Sequence, residues 1–256
     1  MSEASTEAWP EGVARHVLDR VDSTNAEAFR RAADLTGPAW IMAYRQEAGR
    51  GRRGRAWRDP QGNFAATLVM RPQGGLGDAA RLSFVAALAV HDALRAVCGP
   101  QPNFALKWPN DVLLNGGKLS GILLESTGTG GNLGLLAVGI GINLTEAPAP
   151  ADVEAGAMRP VSLLAETGMA VTPDEMLDAL APAFDGWHRQ LLAYGFGPIR
   201  NAWMARAAKL GETIVARTGN AEFTGRFDGI DDTGALILTG PRGRHAIPAA
   251  DIHFGG

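Results

Sequence analysis

An Asn-Gly pair, Asn115-Gly116, separates two apolar runs within LKWPNDVLLNGGKLSGILLE, residues 106–125. Such a pair takes the positive-φ turn of a tight hairpin, so Val112–Leu114 should pair with Lys118–Glu125. The hairpin constrains the rest of the chain, because its longer strand is apolar and needs covered neighbours. Leu133–Leu144 is another long apolar strand. Phe64–Met70, stopped by Arg71-Pro72, and Trp40–Tyr44 are shorter ones. Helical signals lie between and after them. Thr24-Asn25-Ala26-Glu27 has the spacing of a capping box. Gly74, Gly75 and Gly77 mark a loop. Asp78 then caps a helix with Leu82, Val85, Ala89 and Leu94 on one face, closed by Gly99-Pro100. Thr172-Pro173-Asp174-Glu175 is a second capping box, opening a helix to about Tyr194. Pro198 opens a last helix to about Ala208, and the Pro/Ala-rich stretch Ala147–Pro160 is a connection. Strands and helices do not alternate regularly, so the expected class is α+β with a mixed sheet.

From Leu210 the pattern changes to short alternating segments, GETIVARTGN, AEFTGRFDGI, GALILTG and RHAIPAADIHF. Gly219-Asn220, Asp232-Thr233-Gly234 and Gly240-Pro241 punctuate them. The tail is too short for a sandwich and suits a five-stranded barrel of the SH3 kind. The expected division is a flexible N-terminus over 1–11, a larger unit over 12–209 and the small barrel over 210–256.

Composition excludes several classes. Lys+Arg 24 against Asp+Glu 27 gives a net charge of -3, which argues against a dedicated nucleic-acid binder. Cys98 is the single cysteine, so no internal disulfide can form. The N-terminus lacks a basic segment followed by an apolar one, and no apolar run is long enough to span a bilayer. A cytoplasmic protein is expected.

Two stretches carry chemistry. The first, RQEAGRGRRGRAWRDPQGN at 45–63, holds Arg50, Arg52, Arg53 and Arg55 within six residues. Gly49, Gly51 and Gly54 allow the backbone to bend between them. Guanidinium forks match phosphate and carboxylate oxygens, so the run suits a loop that orders over an anion. It also fits a solvated basic loop or an RNA-binding patch. Trp57 beside it can stack on a purine or pack in the core. The second stretch places Lys107, Asn110, Asp111 and Lys118 around the hairpin. Pro109 makes Trp108 extended and so presents Asn110 and Asp111 rigidly; a plain strand lead-in with Asp111 as turn acceptor is the alternative. Lys118, Ser120 and Ile122 should share one strand face, with Gly121 on the other. Gly139, Gly141 and Asn143 alternate onto one face of the next strand and leave a bare groove for a thin apolar ligand, or for helix packing. His16, His91, His188, His245 and His253 show no metal-ligand spacing, and His91 is expected on a helix surface. Cys98 is expected to be a buried structural thiol. No GxxxxGK[ST] loop and no strand–GxGxxG–helix unit is present.

Taken together these residues resemble the biotin–protein ligases, in the form without an N-terminal DNA-binding domain. The landmarks are Asp22-Ser23-Thr24-Asn25, Gln46, Ala48 to Arg55, Trp57, Lys107 to Asp111, Lys118 to Leu123 and Gly139 to Asn143. Glu47 departs from the Thr or Gln expected there and adds an acid beside the loop. The resemblance implies a class II synthetase-like catalytic domain followed by an SH3-like barrel. It implies that biotin and ATP, with Mg²⁺ carried on the phosphates, form biotinyl-5'-AMP. The biotinyl group then passes to a lysine of a biotin carboxyl carrier protein. It further implies that Ser23, Thr24, Asn25, Gln46, Gly51, Gly121, Gly139 and Gly141 hold biotin. Arg50, Arg52 and Lys118 hold carboxylate and phosphate, and Asp111 orients the incoming amine or accepts its proton. Arg53, Arg55, Trp57, Lys107, Asn110 and Asn143 serve the nucleotide. No metal site fixed by the chain, no DNA and no membrane are implied, and a homodimer is compatible. Only about twenty residues precede Asp22, too few for a winged helix.

Two other readings compete. A lipoate or octanoate ligase would share the fold, but its apolar substrate would leave Ser23, Thr24, Asn25 and Gln46 without partners. A nucleic-acid-binding module using the Arg/Gly loop would show binding that collapses with salt.

Overall fold

The computed structural model describes residues 8–72, 75–129, 132–149, 152–153, 157–219 and 221–254. The expected flexible lead-in over 1–11 therefore falls outside the described residues as far as residue 7, as do Gly74, Asn220 and parts of the 147–160 connection. Within 8–11, Pro10 is buried, and the Trp9 indole donates to the Val13 carbonyl at 2.7 Å.

Seven strands form the large sheet: β1 Ala14–Leu18, β2 Ala39–Ala43, β3 Phe64–Met70, β4 Phe104–Lys107, β5 Asp111–Leu114, β6 Gly117–Thr129 and β7 Asn132–Ile142. Their order is β1-β2-β3-β7-β6-β5-β4. Only β1 and β2 run parallel, so the sheet is mixed, as expected. The Asn115-Gly116 hairpin forms, with Asn115 at φ 50° and Gly116 at φ 80°. β1 escaped the sequence reading because it is an edge strand whose ARHVL side chains are mostly exposed, leaving little hydrophobic alternation.

Among the described residues five α-helices accompany the sheet: α1 Thr24–Arg31, α2 Leu76–Cys98, α3 Leu163–Thr167, α4 Pro173–Tyr194 and α5 Phe196–Met204. α2 and α4 bury one face against the core of the sheet that holds Trp40, Met42, Phe64 and Leu68, and Phe184 meets the Trp40 ring edge-on at 5.9 Å; α5 packs on α2, with Phe196 and Trp203 against Phe84. α1 lies on the other face over Ala39, Ile41, Val69, Leu135 and Ala137. β2 and β3 are thus buried on both sides, which is why their sequences are apolar without alternation.

Helix starts differ from the sequence expectation in three places. Ser23, extended at φ -153°, caps α1, and Glu27 pairs with Arg30 and Arg31 instead of closing a box on Thr24. Asp78 is the third residue of α2, and its carboxylate accepts the Gly75 N–H at 3.1 Å. α5 opens at Phe196, because Gly195 at φ 72° ends α4 and Pro198 then sits in a first turn that needs no internal N–H. The Thr172–Glu175 box forms as expected. His91 is buried rather than exposed, since α2 is enclosed by the sheet and its neighbouring helices. Its Nδ1 lies 2.9 Å from Asp92. Cys98 is buried, as expected, and burial pushes its thiol upward.

The C-terminal part forms a five-stranded antiparallel sheet: β8 Thr213–Arg217, β9 Glu222–Ile230, β10 Leu236–Gly240, β11 Gly243–Ile247 and β12 Asp251–Phe254, in the order β11-β10-β9-β8-β12. It fits the small SH3-like unit expected. It is tightly joined to the larger part. Trp203 of α5 packs edge-on against both Phe84 and Phe227. The Trp108 indole donates to the Gly234 carbonyl at 3.0 Å. Gly234 sits at φ +88°, where a Cβ would also meet the Phe84 ring at 2.8 Å.

Candidate active site

On the α1 face the apolar floor of Leu135 and Ala137 continues along β7 into Gly139 and Gly141. A cleft of about 500 Å³ opens there, roofed by the Arg/Gly loop and bounded by the C-terminal sheet. A Cβ on Gly139 would stand 2.3 Å from the Asn25 carbonyl oxygen, and one on Gly141 would stand 2.5 Å from the Trp57 ring. Both glycines are therefore required by close approach of protein side chains, and Trp57 lies in the groove that the sequence left bare.

The β5–β6 pairing holds a bulge. Val112 faces Ser120, but Leu113 faces Lys118. One extra residue reverses the alternation. Lys118 therefore points to the same side as Gly121, with its Nζ 3.6 Å from where a Gly121 Cβ would be. This corrects the expectation that they lie on opposite faces.

At one end of the cleft Ser23, Thr24 and Asn25 are buried at the start of α1. The Gln46 side-chain carbonyl accepts from the Thr24 N–H at 2.9 Å and the Thr24 hydroxyl at 3.1 Å. The Thr67 hydroxyl of β3 donates to the Asn25 side-chain oxygen Oδ1 at 2.6 Å, and the Asn25 side-chain amide donates to Glu125 at 2.8 Å. Glu125 lies 3.7 Å from Arg50. Thr67 and Glu125 were missed by the sequence reading, since each is one residue in an apolar strand. β-Alternation from Gly139 and Gly121 was the signal that could have placed them on the cleft face.

At the other end Asp111 is buried, with Lys118 at 2.7 Å and Lys107 at 3.6 Å. Burial opposes its ionisation, but the two ammonium charges outweigh this and hold the carboxyl below its ordinary range. Burial lowers the Lys107 ammonium, against the pull of Asp111. Lys118 also lies 5.8 Å from the centre of the Trp57 ring, and Lys107 lies 5.7 Å from that of Phe254. Asn110 lines the cleft, but its amide is bonded to the Ile122 carbonyl, clipping the Lys107–Asp111 turn to β6. Asn143 donates to the Val161 carbonyl at 3.0 Å, while its own carbonyl oxygen is buried without a partner.

The Arg/Gly loop makes one 3-10 turn over Arg52–Gly54, with Arg53 at φ 57°. Gly51 lines the cleft and donates to the Arg55 carbonyl at 2.7 Å. Arg52 lines the cleft half-buried, and that burial lowers its guanidinium from the ordinary range. Arg53 and Arg55 both pair with Asp251 of β12, Arg55 at 3.0 Å. Asp251 was read only as part of a strand. Burial opposes its charge, yet the arginines hold its carboxyl low. Glu47 pairs with Arg20 at 3.1 Å. Among the described residues no three His, Cys, Asp or Glu side chains form a metal cluster.

The arrangement joins a small polar socket, a narrow glycine-lined groove and a cationic end. It is a site for a molecule with a compact polar head, a thin chain and an anionic terminus. The Biotin/lipoate A/B protein ligase family matches residues 17–143, and the Biotin protein ligase C terminal domain matches residues 209–255. The chain is 64% identical over 240 residues to the biotin–[acetyl-CoA-carboxylase] ligase of Paracoccus denitrificans, spanning 94% of this chain and all of that one. It is 34% identical over 216 residues to the bifunctional ligase/repressor BirA of Bacillus subtilis, spanning 84% of this chain and 66% of that one. The fold superposes on the biotin protein ligase from Aquifex aeolicus in complex with biotin and ATP. The TM-score is 0.80 at 26% identity, over 93% of this chain and 97% of that one. The chain belongs to the biotin–protein ligases.

Proposed function

We propose that the protein is an ATP-dependent ligase that activates biotin as biotinyl-5'-AMP and transfers it to one lysine of a biotin carboxyl carrier protein in the cytoplasm. The observation that carries this reading is the two-ended cleft, with the Ser23–Thr24–Asn25–Gln46 socket at one end and Lys118, Lys107 and Arg52 at the other. A ureido ring offers both donors and acceptors to the socket, as a purely apolar acyl chain does not. That favours biotin over lipoate. No helix among the described residues is long and apolar enough to cross a membrane.

In the first step a biotin carboxylate oxygen attacks the α-phosphorus of ATP and the bond to pyrophosphate breaks. Two anions meet, so fixed positive charge must stand where they converge. Lys118 and Arg52 supply it, with Arg50 at the loop base and Arg53 and Arg55 above. Trp57 gives a flat face for the adenine, and Lys107, Asn110 and Asn143 border the nucleotide. Mg²⁺ would come bound to the ATP phosphates and would add positive charge beside that of Lys118 and Arg52. The nearby carboxylates of Asp111, Glu125 and Asp251 each face Lys or Arg, which fits an ion carried by substrate. In the second step the carrier ε-amine attacks the acyl carbon, AMP leaves and the amine loses a proton. Asp111, with its depressed pKa, is a weak proton acceptor. Its role is to hold Lys118 and Lys107 and to orient the amine. In the domain reading that supports this, residues 12–209 do the chemistry and 210–256 brace the loop.

Isothermal titration of the protein with biotin and with lipoate tests the assignment. Saturable biotin binding with none for lipoate is expected, and preference for lipoate overturns it.

A further inference from the structure

Asp59 has no place in the chemistry above and does not line the cleft. Its carboxylate oxygen Oδ2 accepts the backbone N–H of Gln46 at 3.0 Å, and its Oδ1 is buried without a hydrogen bond. Burying a carboxylate is unfavourable, and burial pushes this carboxyl up to about 6 against the pull of the Gln46 backbone and side chain. The turn that carries it is fixed independently. The Asn63 side-chain oxygen Oδ1 accepts the N–H groups of Thr145 and Glu146 at 2.9 and 3.1 Å, and its side-chain amide donates to the Glu146 backbone carbonyl at 2.7 Å. Asp59 is therefore a rigid anchor at the far end of the Arg/Gly loop, bonded to the residue that begins it.

Gln46 is held from both sides. Its side-chain oxygen accepts from Thr24, and its side-chain amide also reaches the Asp59 carboxylate, so Asp59 touches both the backbone and the side chain of Gln46. A rotated amide would release Thr24, and Thr24 is joined through Thr67 to Asn25 and Glu125.

We propose that Asp59 is a positioning residue for biotin. By fixing the Gln46 backbone it sets which atoms of the Gln46 amide and the Thr24 hydroxyl face the ureido ring. The inference rests on the assignment of biotin to the Ser23–Gln46 socket. Asp59 acts on ground-state biotin binding and leaves the phosphoryl end untouched, so its loss separates KM for biotin from kcat and from KM for ATP.

The test is a mutant cycle on steady-state kinetics with carrier protein. Asp59→Ala should raise KM for biotin about tenfold, with kcat and KM for ATP within about twofold. Asp59→Asn keeps an acceptor oxygen in place and should recover most of the loss. In a Gln46→Ala background Asp59→Ala should add nothing. Should Asp59→Ala not fold, as judged by circular dichroism, Asp59→Ser takes its place in the cycle. An unchanged KM for biotin in Asp59→Ala, or an effect that adds fully to Gln46→Ala, overturns the proposal. A Gln46→Ala variant with normal KM for biotin instead overturns the socket assignment beneath it.

Discussion

Lys118 owes its position to a bulge, and Asp111 pairs with it at 2.7 Å. In the proposed reaction it stands where carboxylate and phosphate oxygens converge. Lys118→Ala should slow biotin-dependent pyrophosphate release about a hundredfold, corresponding to about 3 kcal/mol of lost transition-state stabilisation. Release at the wild-type rate would remove Lys118 from the mechanism. Asp59 makes a different prediction. Its folded pKa of about 6 lies above its ordinary 3.8, so between these values the folded state binds the extra proton. The contribution to stability is then present below about pH 4 and is lost as pH rises through 6, by at most about 3 kcal/mol. Asp59→Asn should therefore melt higher than wild type at pH 7.5, with the gap closing toward pH 4. Thermal denaturation at both pH values checks this, and a lower melting point for the variant at pH 7.5 contradicts it.

At the scale of elements, the long apolar strands were legible, while β1, β4 and several boundaries were not. Phe64–Met70 reads as a strand because its run is apolar and ends at Arg-Pro, and it is one to the residue. The facing of Lys118 and Gly121 was illegible, because a bulge leaves no mark in the local pattern. The cap of α1 was misread by one residue, because Ser23, Thr24 and Asn25 are all good caps and only tertiary contacts choose among them. The Arg/Gly loop, with seven Gly and Arg residues in the eight from Ala48 to Arg55, reads as a loop that orders over an anion. The reading missed Asp251, some two hundred residues away, which pairs with two of the arginines. The loop is thus braced on one side while Arg52 faces the cleft. We expect Arg52→Gly to let biotinyl-AMP escape. The variant, incubated with biotin, ATP and albumin, should label albumin more than wild type does. Equal labelling with intact adenylate synthesis would show that the loop does not retain the intermediate.

For the whole molecule, the two-part organisation was legible from the change in strand pattern at Leu210. The strength of the join was not, because Trp203, Phe227 and Phe84 meet only in three dimensions. Removing residues beyond Leu210 exposes Trp203 and strips Asp251 from the loop. Losing packing around one large buried aromatic costs about 3–5 kcal/mol, comparable to the whole stability of many domains. The shortened chain should melt far below the intact protein and aggregate on sedimentation. A cooperative melt at the wild-type temperature would show the C-terminal sheet to be a separable module.

In the proposed reaction one cleft joins biotin to the α-phosphorus of ATP. Mass spectrometry of the protein incubated with biotin, ATP and Mg²⁺, without any carrier, tests it directly. The account predicts biotinyl-5'-AMP bound to the protein, absent when biotin is replaced by lipoate. Bound lipoyl-AMP, or no acyl-adenylate with either acid, would contradict it.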